Sequence, residues 1–403
     1  MGRRLLATSV MLTAALGVAA CSSGTTGSAG QNSSSAPFRV MVTGGLSSTG
    51  VLAANSETSV LAAQAGAKVI NEDGGIDGRK VIVTVSNDNG DPTTAVTNLL
   101  NAIHSSDKPD LYLNSGPSTI PAATLPILTA NHILSFNIGP TSNSFDAAMF
   151  PDNFDLAAGP TDFLKGFVEA MKQAGYKTAG IIHGNDAYGT VFGADTQSAF
   201  QAAGLTVTSN QPYDVTALSM TAQLQAIQVT KPDVLIMDAY GAPVGYILKD
   251  LQQLGWNVPI LADDSVTATT LVSTPAPAGY EGTSLVKNLK MQVFNSTVYS
   301  PSATLVNQAV KAMMSLGKIE STLILAFNYD ALPLVAAAAK YAHSTTTSAL
   351  AAALVKPAVQ AAAKTAIVSR YNFTAANHSP FPGANQFTFI SPTLLVNGQY
   401  GHP

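Results

Sequence analysis

Three hydroxyl-bearing residues follow an apolar run that is typical of a buried strand. The run covers 111–114 (LYLN), and Ser115, Ser118 and Thr119 lie in the segment SGPST, where a helix over 118–130 is predicted to begin. The first turn of a helix has backbone N–H groups without intrahelical acceptors, and with nearby hydroxyls these groups bind anions such as a carboxylate. Ser118 or Thr119 could equally serve only as a helix cap, and the pattern leaves open whether Ser115 or Ser118 would contact a ligand.

Acidic residues stand at the ends of two other predicted strands. Asp238 ends the run 233–238, while Asp263 and Asp264 follow the run 258–261. Charged residues make up only 11% of the chain, so carboxylates at a strand end are candidate site residues. They could equally form a turn through Asx hydrogen bonds.

An aromatic candidate lies in the segment 177–193, KTAGIIHGNDAYGTVFG, which reads as strand, turn and helix. Asp186 is a candidate helix N-cap, which places Tyr188 in the first helical turn beside the carboxyl end of the strand. Ligands of open α/β sheets bind at that end. The ring of Tyr188 could cover an aliphatic group there, with core packing as the alternative.

The patterns expected of several other functions are missing from the sequence. The six histidines show no metal-ligand spacing, and His183 is expected to pack at a strand end. No G-x-S-x-G, G-x-G-x-x-G or Walker pattern occurs. With a net charge of −4 and no basic cluster, the chain is not expected to bind nucleic acid. We therefore expect a binding protein, not an enzyme, with no cofactor and no metal.

The elements that must position these residues alternate between short apolar runs and longer helical patterns. Two consecutive sets of this kind predict parallel sheets with right-handed crossovers and helices on both faces. The length of 403 residues also favours two lobes, so we predict an α/β fold with two doubly wound parallel-sheet lobes. Strands are predicted over 38–45, 81–88, 111–114, 132–138, 177–182, 205–209, 233–238, 258–261 and 281–286, and helices over 51–71, 93–104, 118–130, 161–174, 188–203, 219–229 and 243–254.

The last hundred residues are expected to cross between the lobes again. Helices are predicted over 302–316, 321–342 and 346–355, followed by a strand-like tail over 385–398 around Pro392. Such returns would join the lobes by a hinge of several strands. We predict a first lobe of 37–157 with 290–375, and a second lobe of 158–289 with 376–403.

The N-terminus has the pattern of a processing segment. Arg3 and Arg4 precede an apolar stretch, and residues 1–20 are predicted to be a lipoprotein signal peptide. The segment VAAC at 18–21 resembles a bacterial lipobox, so Cys21, the only cysteine, is the predicted lipidation site. The alternative is an ordinary secretory signal. Residues 21–36 are rich in Ser, Gly and Thr and are predicted to be a flexible tether to the outer face of the cytoplasmic membrane.

Several phrases in the folded part, in this order and at these spacings, resemble substrate-binding proteins of branched-chain amino acid (Leu/Ile/Val) ABC importers. These are type I periplasmic binding proteins, and the resemblance covers about 38–398. The phrases are INEDGGIDGRKVIVTVSNDNGDP (70–92), SGPSTIPA (115–122), HILSFNIGPTS (132–142), GNDAYG (184–189), MDAYG (237–241) and NYDALPLVAAA (328–338).

The resemblance implies positions for ligand contacts. In relatives, the loop of Ser115 to Thr119 contacts a ligand carboxylate, and the next strand exit carries a Gly-Ala-Thr-like turn. This chain has Pro140 where Ala is usual, which removes one backbone donor, and Thr141 follows it. On the facing lobe the matching positions are Tyr188, Tyr240 and, for an ammonium group, Asp264, with Asp263 and Asp238 as alternatives.

The resemblance also implies partners. We expect a monomer that binds a small amino acid or amide and passes it to ABC permease subunits, with Cys21 as its membrane anchor. The alternative of another class is a ligand-sensing ectodomain of the same fold that signals to a membrane partner.

Overall fold

The first sheet is formed by the N-terminal part of the chain, in a computed structural model that describes residues 36–380 and 386–402. Its strands are β1 (Phe38–Gly44), β2 (Val81–Asn87), β3 (Leu111–Asn114), β4 (Leu134–Asn137) and β5 (Asn153–Asp155). All five are parallel, in the order β2-β1-β3-β4-β5. Three crossover helices connect the first four strands: α1 (Val51–Glu72), α2 (Pro92–Ile103) and α3 (Thr119–Ala130).

The second sheet repeats this design with one added antiparallel strand. Its strands are β6 (Thr178–Gly184), β7 (Thr206–Tyr213), β8 (Val234–Met237), β9 (Ile260–Ala262), β10 (Leu289–Phe294) and β11 (Phe387–Ile390). The order is β11-β10-β9-β8-β6-β7, and only β11 runs antiparallel to its neighbour. The helices of this part are α4 (Pro160–Ala174), α5 (Ala187–Ala202), α6 (Thr221–Gln228) and α7 (Ala242–Gln253). The prediction of two doubly wound parallel sheets is therefore confirmed.

Strand and helix formation follow from the apolar pattern and from caps. Strand β8 (VLIM) is buried at all four positions, as expected for a parallel strand covered on both faces. Helix α5 begins where the Asp186 carboxylate accepts a hydrogen bond from the Gly189 N–H at 2.7 Å, which confirms Asp186 as its N-cap. This cap fixes where the first turn of α5 stands relative to the end of β6.

The chain then returns to the first sheet. Four helices, α8 (Thr304–Met314), α9 (Asn328–Ala342), α10 (Thr347–Leu354) and α11 (Pro357–Ala362), follow β10. Helix α1 packs against α8 and α9, and α10 and α11 pack on α9. The chain ends with the hairpin β12 (Leu395–Val396) and β13 (Gln399–Tyr400), whose Asn397-Gly398 turn has positive φ at both residues.

One predicted strand is wrong. The segment 281–286 is not a strand, because Ser284–Val286 forms a 3-10 helix packed on α7, and the strand that follows is β10 at Leu289–Phe294. The Thr283 hydroxyl donates to the Tyr280 carbonyl at 2.7 Å, which holds this segment in a local turn. The apolar pair Leu285 and Val286 satisfies a strand pattern and a short helix equally.

The predicted division into lobes stays a prediction. In terms of pairing, β10 belongs to the second sheet, and the helices that pack on the first sheet begin at Thr304. The predicted helix over 321–342 begins later, at Asn328, since Thr322 first caps a 3-10 turn over Leu323–Leu325. Residues 1–20 and Cys21, with their predicted signal peptide and lipidation, lie outside the described residues, as does the tether up to residue 35.

Candidate functional site

A cavity of about 140 Å³ lies where the carboxyl ends of the two sheets face each other. This volume is about ten times what one water molecule needs. The first sheet contributes the loops after β3, β4 and β5, and the second contributes the loops after β6, β8 and β9. The lining residues are Ser115, Gly116, Pro117, Ser118, Ile138, Gly139, Pro140, Ala157, Ala158, Asp186, Tyr188, Asp238, Tyr240, Asp264, Ser265, Ala268, Ile324, Leu325 and Phe327.

On the first wall, the two serines of the β3–α3 loop line the cavity. The Ser115 hydroxyl oxygen accepts a hydrogen bond from Asn328 Nδ2 at 2.9 Å, so its own proton is available to another acceptor. Asn328 also donates to Ser59 at 2.9 Å, which fixes its orientation. The Ser118 side chain makes no capping bond to helix α3, although Ser118 occupies the N-cap position. Both hydroxyls are therefore placed to contact a guest in the cavity.

Four backbone positions of this wall cannot donate a hydrogen bond to a ligand. The Gly116 N–H donates to Asn114 Oδ1 at 3.0 Å, and the Gly139 N–H donates to Asn137 Oδ1 at 2.9 Å. Pro117 and Pro140 carry no N–H. Pro140 lacks a backbone donor, as expected. Gly116, Pro117 and Gly139 are three more positions whose backbone cannot donate to a ligand anion.

A buried chain of polar side chains holds these two loops together. Asn114 Nδ2 donates to Asn137 Oδ1 at 3.3 Å, and Asn137 Nδ2 donates to Asp155 Oδ1 at 2.6 Å. The Ser144 hydroxyl donates to the other oxygen of Asp155 at 2.7 Å. Burial raises the pKa of Asp155 to about 7, and these hydrogen bonds offset part of that rise. This support is not among the residues predicted from the sequence, where its signal is a polar residue at the end of each of three neighbouring strands.

Two of the predicted contact residues lie away from the cavity. Thr119 is exposed, and Thr141 is buried in a turn of its own. The Thr141 N–H donates to the Ser144 hydroxyl at 2.9 Å, and its hydroxyl donates to Asn143 Oδ1 at 3.1 Å. Neither threonine lines the cavity, whereas Pro140, directly before Thr141, does.

On the second wall, Tyr188 and Tyr240 both line the cavity, as the sequence predicts. The Tyr188 hydroxyl donates a long hydrogen bond of 3.4 Å to Asp264 Oδ1. Its ring stacks on Phe192, one helical turn further along α5, with 6.4 Å between ring centroids. The Tyr240 hydroxyl accepts a hydrogen bond from Asn55 Nδ2 of helix α1 at 3.0 Å, which joins the second wall to the first.

Four carboxyl groups gather at this wall. Asp186, Asp238 and Asp264 line the cavity, and Asp263 is fully buried behind them. Asp238 accepts from the Gly184 N–H at 3.1 Å, and Asp263 accepts from the Ser265 hydroxyl at 3.1 Å. The sequence predicts Asp238, Asp263 and Asp264 as alternatives, and the structure brings all three together. The sequence predicts Asp186 only as a helix cap.

Their close approach shifts their protonation. Burial, and to a smaller extent the charge of Asp238, raises the pKa of Asp264 to about 8, while the hydrogen bond from Tyr188 offsets part of that rise. Burial and the nearby Asp186 raise the pKa of Asp238 to about 7. Burial and the charges of Asp238 and Asp264 raise the pKa of Asp263 well above its ordinary value. At neutral pH the group therefore carries less than its full negative charge.

The segment before α9 supplies an apolar part of the lining that is not predicted from the sequence. Ile324, Leu325 and Phe327 reach the cavity from the 3-10 turn before α9. The nearest signal was the family-like phrase that starts at residue 328, one position after Phe327. No group of three or more potential metal ligands occurs in residues 36–380 and 386–402. No helix in the same ranges is long and apolar enough to cross a membrane.

Comparison with known sequences places this geometry in a family. A family model described as periplasmic binding protein matches residues 45–385. A Leu/Ile/Val-binding protein homolog 1 from Brucella suis biovar 1 is 25% identical over 232 residues, which are 55% of this chain and 59% of that protein. The match thus spans less than two thirds of the relative's own length.

Solved structures share the fold. A type 1 periplasmic binding protein from Bordetella pertussis Tohama I superposes with a TM-score of 0.72 at 18% identity, over 88% of this chain and 96% of that one. A leucine-binding protein from Thermotoga maritima superposes with a TM-score of 0.64 at 19% identity, over 79% of this chain and 87% of that one. The matched family consists of binding proteins that act outside the cytoplasm and not of enzymes, as the sequence predicts. With a family model matched over most of its length and a cavity between two doubly wound sheets, this chain belongs to the periplasmic binding proteins of type I.

Proposed function

We propose that the protein is the solute receptor of an ABC importer. It captures a small polar solute that carries an amine or amide group, such as an amino acid, in the cavity between its lobes. The observation that carries the proposal is that side chains at the carboxyl ends of both sheets line one cavity. A guest touching both walls stabilises the closed arrangement of the lobes, which a permease can distinguish from the open one.

The Asn55–Tyr240 hydrogen bond supports closure as the signal. It joins helix α1, which packs on the first sheet, to the loop after β8 of the second sheet. Such a bond forms only when the lobes are close together. Its energy adds to that of the ligand contacts in the closed state alone.

Ligand placement follows from the chemistry of the two walls. The hydroxyls of Ser115 and Ser118 suit an acceptor on the solute, such as an amide or carboxylate oxygen. The carboxyl group of Asp264 suits a nitrogen donor, and Tyr188 covers the apolar part between them. Cys21, lipidated after removal of residues 1–20, would keep the receptor at the membrane surface beside the permease.

Isothermal titration tests the receptor function. The protein is unfolded, dialysed and refolded to remove any retained solute, and is then titrated with leucine, isoleucine, valine, small amides and urea. The heat released by any of these, or by a fraction of a cell extract, supports the proposal. No heat with any solute or extract fraction, for protein shown to be folded and ligand-free, overturns it.

Delivery and anchoring need separate measurements. Uptake of the identified solute should fall when the gene is deleted and return when it is restored. A Cys21→Ala variant should be released from the membrane fraction without loss of solute affinity. Binding without any effect on uptake would favour the sensing alternative.

A further inference from the structure

The second wall of the cavity carries acidic groups with no basic partner. Asp186, Asp238 and Asp264 line it, and none of the lining residues is Lys, Arg or His in the part of the chain that the structure describes. We infer, on the basis of the proposed receptor function, that the solute is a small organic cation, an ammonium ion with an apolar body and no carboxylate. Carboxyl groups gathered without a basic partner stay partly protonated at neutral pH, and a ligand that brings a positive charge would favour their ionised forms.

An unpartnered oxygen behind this wall supports the inference independently. Asp263 is fully buried, and its Oδ1 has no hydrogen-bond partner among the described residues. A buried oxygen without a partner is costly to keep, and a ligand or ion that supplies the missing interaction is one explanation for such a group. Because its neighbours Asp238 and Asp264 face the cavity, a bound cation would stabilise all three carboxylates.

The first wall offers a ligand carboxylate only part of the donors that it needs. The N–H groups of Gly116 and Gly139 are already bonded to asparagine side chains, and Pro117 and Pro140 have none. The hydroxyls of Ser115 and Ser118 are the side-chain donors of a wall that faces several carboxyl groups across a cavity of about 140 Å³. A ligand carboxylate would be repelled by whichever of those groups are ionised, whereas an ammonium group would be attracted.

The remaining lining suits the hydrocarbon part of such a cation. The side chains of Ile138, Ile324 and Phe327 are apolar, and the rings of Tyr188 and Tyr240 flank the acidic groups. Aromatic faces attract cations through their ring quadrupole, and ammonium groups are commonly bound between such rings and carboxylates. The lining therefore favours an amphipathic amine over a strongly hydrophilic one.

The protonation of the carboxyl groups on this wall predicts how amine binding depends on pH. Seven titratable groups lie at this wall. They are Asp186 and Tyr188 at the start of α5, Tyr213 on β7, Asp238 and Tyr240 after β8, and Asp263 and Asp264 after β9. The nearby His183 ring instead packs on Gly193, with its Nδ1 2.8 Å from the Gly184 oxygen. Since the pKa of Asp264 is raised to about 8 and that of Asp238 to about 7, a bound cation must displace protons. Affinity for an amine should therefore increase with pH between about 6 and 8, and protons should be released on binding.

The experiment uses probes matched in shape and different in charge. The refolded full chain is titrated with isopentylamine, isopentyl alcohol, 4-methylpentanoate, leucinamide and leucine, and with phenethylamine and 2-phenylethanol as an aromatic pair. We expect amines and leucinamide to bind at least tenfold tighter than leucine and the alcohols, and 4-methylpentanoate not to bind. Titrations of the tightest amine in two buffers of different ionisation enthalpy should show proton release.

Variants that remove one carboxylate test which residues cause the preference for a cation. In Asp264→Asn and Asp238→Asn the preference for the amine over the alcohol should fall at least tenfold. Glu169→Gln, which removes a negative charge from the exposed face of helix α4, should leave it unchanged. These asparagine variants remove a carboxyl group that is costly to bury, so they are expected to fold.

Each contrary result has a distinct meaning. Tighter binding of leucine or 4-methylpentanoate than of the amines, or no binding of any amine, overturns the cation inference and leaves the receptor function standing if another solute binds. Equal amine preference in Asp264→Asn, Asp238→Asn and Glu169→Gln also overturns it. Only the failure of every solute and extract fraction removes the receptor function itself.

Discussion

Asn55 and Tyr240 form a hydrogen bond across the cleft, with 3.0 Å between Asn55 Nδ2 and the Tyr240 hydroxyl oxygen. Asn55 is itself held by the Ser321 hydroxyl, which donates to Asn55 Oδ1 at 2.6 Å. Helix α1, the segment before α9 and the loop after β8 are thus joined at one point. Because α1 packs on the first sheet and Tyr240 follows a strand of the second, this bond belongs to the closed arrangement.

We predict that Tyr240→Phe weakens closure. The variant keeps the ring and removes only the hydroxyl, so the loss should be about 1 kcal/mol, or roughly five- to tenfold in solute affinity. Small-angle scattering of the ligand-bound protein should show a larger radius of gyration. Asn55→Ala combined with Tyr240→Phe should cost no more than Asn55→Ala alone, and a fully additive loss would contradict a direct bond.

Tyr188 should contribute mainly through its ring. Tyr188→Ala removes the wall between Phe192 and the cavity and should lower solute affinity at least about tenfold, while the fold is retained. Tyr188→Phe loses only the long hydrogen bond to Asp264 and should cost about threefold or less. Isothermal titration of both variants measures the difference, and unchanged binding in Tyr188→Ala would move the site elsewhere.

The stability of the ligand-free protein should decrease as pH rises. The folded state raises the pKa of Asp264 to about 8, so between pH 4 and pH 8 it binds more protons than the unfolded state. The free energy of unfolding must then fall with increasing pH over that window. The expected loss between pH 5 and pH 8 is at least about 1 kcal/mol, allowing for partial exposure. Denaturant titrations should show a weaker pH dependence in Asp264→Asn, and an identical slope would contradict the assignment.

Gly189 should be intolerant of any side chain. A Cβ at this position would lie 2.3 Å from the Gly184 oxygen and 2.8 Å from Asp238 Oδ2. Gly189→Ala should therefore destabilise the protein by about 2 kcal/mol or more and displace the first turn of α5, which carries Tyr188. Thr190→Ala, at an exposed position of the same helix, serves as the control and should change the melting temperature little. Equal melting temperatures would show that the helix can move without cost.

The alternation of buried strands and helices was readable because it depends on local pattern. Strand β8, apolar at every position, and the Asp186 cap of α5 are found where the sequence predicts them. The strand predicted over 281–286 is wrong for the same reason, since two apolar residues in a short turn fit more than one local structure. Sheet membership of β10 and β11 depends on pairing between distant residues, which local pattern does not contain.

The sequence by itself determined the fold class, the family and most of the strand ends where polar residues gather. Ser115, Ser118, Tyr188 and Asp264 were selected as residues near strand ends, Pro140 and Tyr240 through the family resemblance, and all six line the cavity. Only the tertiary structure decided that Thr119 and Thr141 point elsewhere and that Asp186 joins the other acids. The reason is that the burial of a side chain and the charge around it depend on residues that folding brings together from several elements. Asp264 could be identified as an acid at a strand end, but its raised pKa exists only because folding places it beside Asp238 and out of water.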